Sequence, residues 1–356
     1  MDVLVTHCEC MTAVGYTCPQ TTVAARAGIN RYRESDDLTD GHGESAVVAP
    51  IVGLGSPLDP WDASSCVNRL QSLASHSLSM LVRNSGLLRA PSAAIHLLLG
   101  VSPLDRPGPR YEGIHQQLSR RLSDQLRDCT HHVDWQIVPS GHASGIEALM
   151  LASAQLQAEP NSVCIVGALD SLIESELAGW LEEHARLKTA SFGRNHGIPL
   201  GEAVGFLLLE TSSSSRQRPQ AMARLAGCGA SLEHAPFLSD TPTESTGLTD
   251  ACRYAIFEAG THLAEIDLIV SDLTGEFHRS RDWAFAEHRN QPGTRQHLAT
   301  HWHPADSFGC VGAASGVVQV GMAAYAIQRG WAQQALVLCT DDAGPCGAAV
   351  LQPVSR

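Results

Sequence analysis

Ala143-Ser144-Gly145 heads an apolar stretch that runs to Ala158, and 171 positions later Ala314-Ser315-Gly316 heads another that runs to Arg329. The correspondence continues outward: Ala152 matches Ala323, Gln157 matches Gln328, Val166 matches Val337, and Asp170 matches Asp341. Each copy offers a small-residue turn, a helix, and a strand ending near an Asp. Repetition at a fixed offset is the mark of an internally duplicated fold. In the first copy Ile146, Leu149, Met150 and Leu156 recur at helical spacing, with the small Ser153 on the same face. The second copy is apolar nearly all round, the pattern of a helix buried on several sides.

Working outward, short apolar runs alternate with helical stretches, which predicts an α/β fold. Strands are expected at Ala94–Gly100, Val133–Val138, Ser162–Ala168, Gly205–Glu210, Ile266–Ser271 and Gln334–Thr340. Helices are expected at Cys66–Arg83, Tyr111–Cys129, His142–Ala158, Leu172–His184, Leu248–Leu263 and Ala313–Arg329. The Ser/Arg run Thr211–Gln217 is the one break in composition. It divides the chain into an N-terminal half, 1–215, and a C-terminal half, 216–356.

The composition sets the broad class. With 356 residues and 44% hydrophobic content, the chain is long and apolar enough to bury a large core. Its net charge of −13 argues against a nucleic-acid partner. No run approaches the roughly 18 apolar residues of a membrane span, and Met-Asp-Val-Leu-Val-Thr-His lacks the features of a signal peptide. Eleven scattered cysteines, several in runs such as Val163-Cys164-Ile165, read as reduced thiols of a cytoplasmic protein.

Few motifs carry chemistry. No phosphate-cradling loop or dinucleotide fingerprint occurs, so no cofactor is expected. Cys8-Glu9-Cys10, His131-His132 and His301-Trp302-His303 each lack a second pair at zinc-like spacing, and are read as surface or strand-end residues rather than metal ligands. Gly141-His142-Ala143-Ser144-Gly145 places its serine one residue late for a nucleophile elbow. Arg120-Arg121 shares its helix with Asp124 and Asp128, a solvated face.

Together, several segments resemble the thiolase superfamily, and within it the β-ketoacyl synthases. Thr12-Ala13-Val14-Gly15 followed by Ala27-Gly28-Ile29 looks like the opening strand and loop. Ser140 to Gly145 sits where the family carries its nucleophile turn, and Val166 to Ser171 looks like the strand that follows. Phe192 to Gly197 with Leu200-Gly201-Glu202-Ala203 resembles the family's segment ahead of a long strand, and Ala226 to Ser231 looks like the start of the second half. Ser271 to Glu276, with Asp282 beyond it, sits at the first catalytic histidine motif, and Ser307 to Ala314 at the second. The resemblance implies a thiolase-like fold: two βαβαβαββ halves in a five-layer αβαβα sandwich, with His142–Ala158 and Ala313–Arg329 as the central helices. It also implies pairing through a strand of the N-terminal half, as a homodimer or as a heterodimer with a related chain.

A ketosynthase of this family uses a thiol at a helix N-terminus and two histidines that assist decarboxylation and bind the thioester carbonyl. Here the thiol position reads His142, and the histidine positions read Thr274 and Gly309. In Gly344-Pro345-Cys346-Gly347, the C-terminal glycine-rich loop, Pro345 stands where an aromatic gate lies in the family. His142 at a helix start is expected to be neutral and to fill a buried turn, hydrogen-bonded by Thr274 or a backbone group. Candidates for a relocated nucleophile are Cys310, Cys346 and Ser144, with His278, Glu276 and Asp272 offering acid–base groups.

These changes predict a thiolase-fold protein without condensing activity that works by binding, as a scaffold or adaptor. Its expected partner is a secreted effector, a ketosynthase or an acyl carrier protein. One version resembles thiolase-like proteins associated with loading type VI secretion effectors. The alternatives are a subunit resembling the chain-length factor of a fatty acid or polyketide ketosynthase, and an acyltransferase or hydrolase with a relocated nucleophile.

Overall fold

The structure, a computed structural model, describes residues 2–52, 63–89, 94–107, 112–130, 132–190, 196–214, 220–291 and 298–354, with residues 63–66 and 112–115 described by backbone only. Tyr111, His131, residues 192–195 and the division at 215/216 lie outside the described residues.

The first half carries β1 (Val3–Met11), α1 (Cys18–Arg26), β2 (Arg33–Thr39), β3 (Ser45–Ala49), α2 (Ala63–Asn84) and β4 (Ile95–Gly100). It continues through α3 (Glu112–Gln125), β5 (Val133–Val138), α4 (Ser144–Ala158), β6 (Val163–Ser171), α5 (Ser175–Glu183) and β7 (Leu200–Thr211). The second half carries β8 (Ala223–Leu232), α6 (Thr246–Glu258), β9 (Leu268–Ser271), α7 (Phe277–Asn290) and β10 (Thr300–Trp302). It ends with α8 (Ala305–Phe308), α9 (Ser315–Gln328), β11 (Ala335–Thr340) and β12 (Pro345–Gln352). Single 3₁₀ turns, Gly141–Ala143 and Gly312–Ala314, lead into α4 and α9.

Strand order makes the duplication visible. The sheet runs β10-β9-β11-β12-β8 and then β1-β7-β6-β4-β5, so each half supplies five strands in the same internal order. The halves join where Val3, Leu4 and Val5 pair antiparallel with Leu225, Arg224 and Ala223. The hairpin β2–β3 attaches to β7 through Val48 and Ala49. Strands β6 and β7 are buried along their whole length, as continuous apolar runs must be when helices cover both faces of a sheet.

Three apolar clusters define the layers. Leu73, Leu78, Leu118 and Leu122 of α2 and α3 pack on the outer face of β4, β6 and β7. Residues of α4 and α9, including Ile146, Leu149, Val317 and Val320, fill the middle. Leu248, Ala251, Trp283 and Ala286 of α6 and α7 cover the far face. This is the expected αβαβα sandwich.

The repeated turn is what allows the middle layer. A Cβ on Gly145 would lie 2.8 Å from Val317 N, and one on Gly316 would lie 3.3 Å from Gly145 Cα. Each glycine therefore faces its own duplicate where α4 and α9 cross, and only hydrogen at both positions lets the backbones touch.

Differences from the sequence expectations have local causes. The expected helix Leu172–His184 begins three residues later, at Ser175, because Leu172 and Glu174 first bond to each other in a turn. Of the expected loop Gly344–Gly347, Pro345 to Gly347 instead open β12, with Cys346 and Gly347 paired to both β8 and β11. Cys8 and Cys10 are not surface residues. They lie buried in β1 against Cys18, whose hydrogen bond, together with burial, holds the Cys10 thiol well above its ordinary value.

Candidate functional site

His142 sits in the turn ahead of α4, 8% exposed, where three parts of the chain converge. Its Nδ1 lies 2.8 Å from Asp272 Oδ2, just beyond β9, and its Nε2 lies 3.6 Å from Cys310 Sγ, in the loop between α8 and α9. A carboxylate accepting from Nδ1 fixes the tautomer, which leaves the Nε2 lone pair of the neutral ring facing sulfur.

The ring is not neutral by default, as its helix-start position suggested. Burial disfavours the imidazolium, but negative charge at Cys310 and the hydrogen bond to Asp272 outweigh it, holding the His142 proton well above the usual imidazole range. A carboxylate in direct contact is a stronger influence than the end of one short turn.

Asp272 is itself held. It accepts from Thr340 N at 2.9 Å and from Arg279 Nη1 at 3.2 Å, and Arg279 also donates to Asp342 at 3.0 Å. Arg186 donates to both oxygens of Glu276, at 2.8 and 3.1 Å, and reaches Asp342 at 2.7 Å. Two buried guanidiniums thus sit among three carboxylates, an arrangement that satisfies most of the charge buried behind the site. Burial works against the Asp342 carboxylate, yet Arg279, the His278 hydrogen bond and Arg186 hold it far below the ordinary carboxylate range.

A pocket of about 120 Å³ opens onto His142 and Cys310. Leu172, Leu177, Trp180, Leu181 and Ile198 supply apolar wall, while Arg106, Asp170, Arg279, Asp341 and Asp342 supply charge. Asp341 accepts the N–H groups of His142 at 3.1 Å and Ala343 at 3.0 Å. The backbone donor at the head of α4 is therefore already engaged by a carboxylate of this chain.

No family model matches the chain, and no curated protein does. Solved structures do. The ishigamide ketosynthase/chain length factor superposes with a TM-score of 0.78 at 16% identity, covering 99% of both chains. A ketosynthase in complex with its chain length factor from Xenorhabdus doucetiae gives 0.74 at 15% identity, over 99% of this chain and 98% of that one. The ketosynthase from module 6 of the Bacillus subtilis bacillaene synthase gives 0.78 at 11% identity, over 100% of this chain and 73% of that one. The fold is the thiolase-like fold of the ketosynthases.

Within that thiolase-like fold, the positions singled out from sequence separate cleanly. Thr274 does not reach His142; its hydroxyl donates to Glu276 at 3.2 Å. Gly309 has φ +75° and is turned toward β7, where an added Cβ would lie 3.0 Å from Gly201 N and from Pro199 O. Its neighbour Cys310 is the residue that faces the pocket. Ser144 is fully buried, donating to the Ala313 carbonyl at 3.3 Å with no base beside it. Cys346 belongs to the outer cluster under α6, and burial pushes its thiol far up. His278 stacks on Phe237 at 3.8 Å between ring centroids, and Glu276 is engaged by Arg186. Asp282 accepts from Ser245 at 2.7 Å, away from the pocket.

Arg186, Arg279 and Asp342 were missed by sequence reasoning. A single arginine in a polar helix such as Phe277–Asn290 carries no signal that it will be 2% exposed. Only Asp341, matched to Asp170 near a strand end, pointed to this region.

Proposed function

We propose that this chain is a ketosynthase-like subunit that does not itself form carbon–carbon bonds and works as the partner of another ketosynthase-like chain, in the manner of a chain length factor. The observation that carries this reading is the head of α4. Where condensation needs a thiol with free N–H groups beside it, the chain has His142, tied to Asp272 and with its own N–H spent on Asp341.

Pairing has a surface to use. Strand β5 ends its sheet, bonded on one side to β4, and its central residues Asp134, Trp135 and Gln136 are exposed. An edge unpaired among the described residues, with an exposed tryptophan, is a ready template for a strand from a second chain. Two of the similar structures are described as a ketosynthase with a chain length factor, and another is an acyl-carrier protein in complex with its ketosynthase. An acyl carrier protein is accordingly the second partner expected.

Co-expression with the ketosynthase-like chain encoded nearest to it, followed by size-exclusion chromatography with light scattering, tests the reading. A stable complex of one copy of each is the expected result. Recovery only with a secreted effector, and never with a ketosynthase-like chain, would replace this reading with effector loading for a type VI secretion system.

A further inference from the structure

We propose that Cys310, His142 and Asp272 form a relocated nucleophile site that takes a short acyl group from a thioester onto the Cys310 sulfur. This goes beyond the pairing role and stands or falls separately from it.

The geometry is that of an activated nucleophile: a thiol 3.6 Å from an imidazole nitrogen, and a carboxylate 2.8 Å from the other nitrogen. All three come from separate parts of the chain, so their meeting is not a by-product of local structure. Cys310 and His142 both line the pocket, whereas Cys8, Cys164, Cys252 and Cys346 are not among its lining residues. Asp272 is a positioning residue; its carboxylate accepts from the ring, from Arg279 and from the backbone N–H of Thr340.

Size and lining name the substrate. The pocket, about 120 Å³, combines an apolar wall of Leu177, Leu181 and Ile198 with charged groups, and its size is close to the roughly 150 Å³ that accommodates benzene. The acyl chain is therefore short, of about six carbons or fewer. In the step, Sγ attacks the thioester carbonyl carbon with its proton held on His142 Nε2, so that the ring is an imidazolium kept in place by Asp272. The new S–C bond forms, the original C–S bond breaks, and the imidazolium returns its proton to the departing thiolate. One thioester and one thiol enter; one thioester and one thiol leave.

The test treats the full chain with the butyryl and palmitoyl thioesters of N-acetylcysteamine, and separately with iodoacetamide, and reads intact mass and peptide maps. The expected result is one butyryl group on Cys310, no palmitoyl adduct, loss of the adduct in Cys310→Ala and its retention in Cys346→Ala. His142→Gln should slow both acylation and alkylation of Cys310 by about 100-fold. Asp272→Asn should lower the limiting acylation rate by about tenfold or more, with the half-saturating thioester concentration unchanged. Butyryl transfer to another residue overturns the proposal, as does alkylation of Cys310 that is indifferent to His142. Alkylation that depends on His142 without any butyryl transfer overturns the acyl assignment. None of these failures touches the pairing experiment.

Discussion

Asp170 and Asp341 each hold the helix-leading turn of the other half: Asp341 Oδ2 accepts the N–H of His142 at 3.1 Å, and Asp170 Oδ2 accepts that of Ala313 at 2.9 Å. The two aspartates end equivalent strands 171 positions apart, and each leaves room only for glycine beside it, Gly141 against Asp341 and Gly312 against Asp170. Duplication is thus expressed as a reciprocal clamp across the central layer.

The two clamps differ in burial. Asp170 is 4% exposed and pairs with Arg106 at 2.7 Å, while Asp341 is only partly buried. Asp170→Ala removes the hydrogen bond to Ala313 and leaves the part-buried Arg106 guanidinium without this partner, and should cost about 2–4 kcal/mol. Asp341→Ala should cost about 1–2 kcal/mol, the worth of its lost hydrogen bonds. Urea unfolding of the two variants checks the order, and a larger loss at Asp341 would contradict it.

The crossing of α4 and α9 should be intolerant of a single methyl. Gly145→Ala meets Val317 N at 2.8 Å, so the helices must separate, with a loss of about 1–3 kcal/mol or more. Gly316→Ala, whose nearest contact is 3.3 Å, should cost less. Paired denaturation curves measure the difference.

The crossing explains why so much of the fold was legible. Ala-Ser-Gly must recur wherever two central helices touch, so the requirement is written locally, in both copies. Strand β2, with the sequence Arg-Glu-Ser-Asp-Asp-Leu-Thr, buries only Ser35 and Leu38, so no periodicity marked it. Strand β12 opens with Pro345-Cys346-Gly347, small and turn-like residues that the neighbouring strands force into a ladder. The site was half legible. His142, Asp272 and Cys310 each stood out from sequence, yet their contacts span 130 and 168 positions and exist only once the halves close. Gly309 and Cys310 show the limit most clearly, since a left-handed φ at one residue decides which side chain faces the pocket.

Stability should fall on both sides of neutrality, for opposite reasons. His142 gains protons on folding, so its contribution is complete below the ordinary imidazole pKa and is lost as pH rises through the raised folded value. Asp342 releases its proton on folding, so its contribution is present above the ordinary carboxylate pKa and disappears on strong acidification. Urea midpoints across pH should show both limbs, and His142→Gln should flatten the alkaline one alone.

The free edge of β5 should be needed for pairing. Trp135→Lys places a charge where a second strand would align and should weaken association by at least about tenfold, leaving the unfolding midpoint of the separated chain nearly unchanged. Sedimentation at a series of concentrations measures this. Unaltered association would move the interface elsewhere.

The most direct measurement of the central claim is turnover of a malonyl thioester with an acyl thioester by the purified chain alone, followed as release of carbon dioxide and formation of a β-ketoacyl product. With His142 meeting Asp272 and Cys310 where condensation would need a thiol and two histidines, no release above the rate without protein is expected, and His142→Cys alone should not restore it. Sustained β-ketoacyl formation by the unmodified chain would contradict the account.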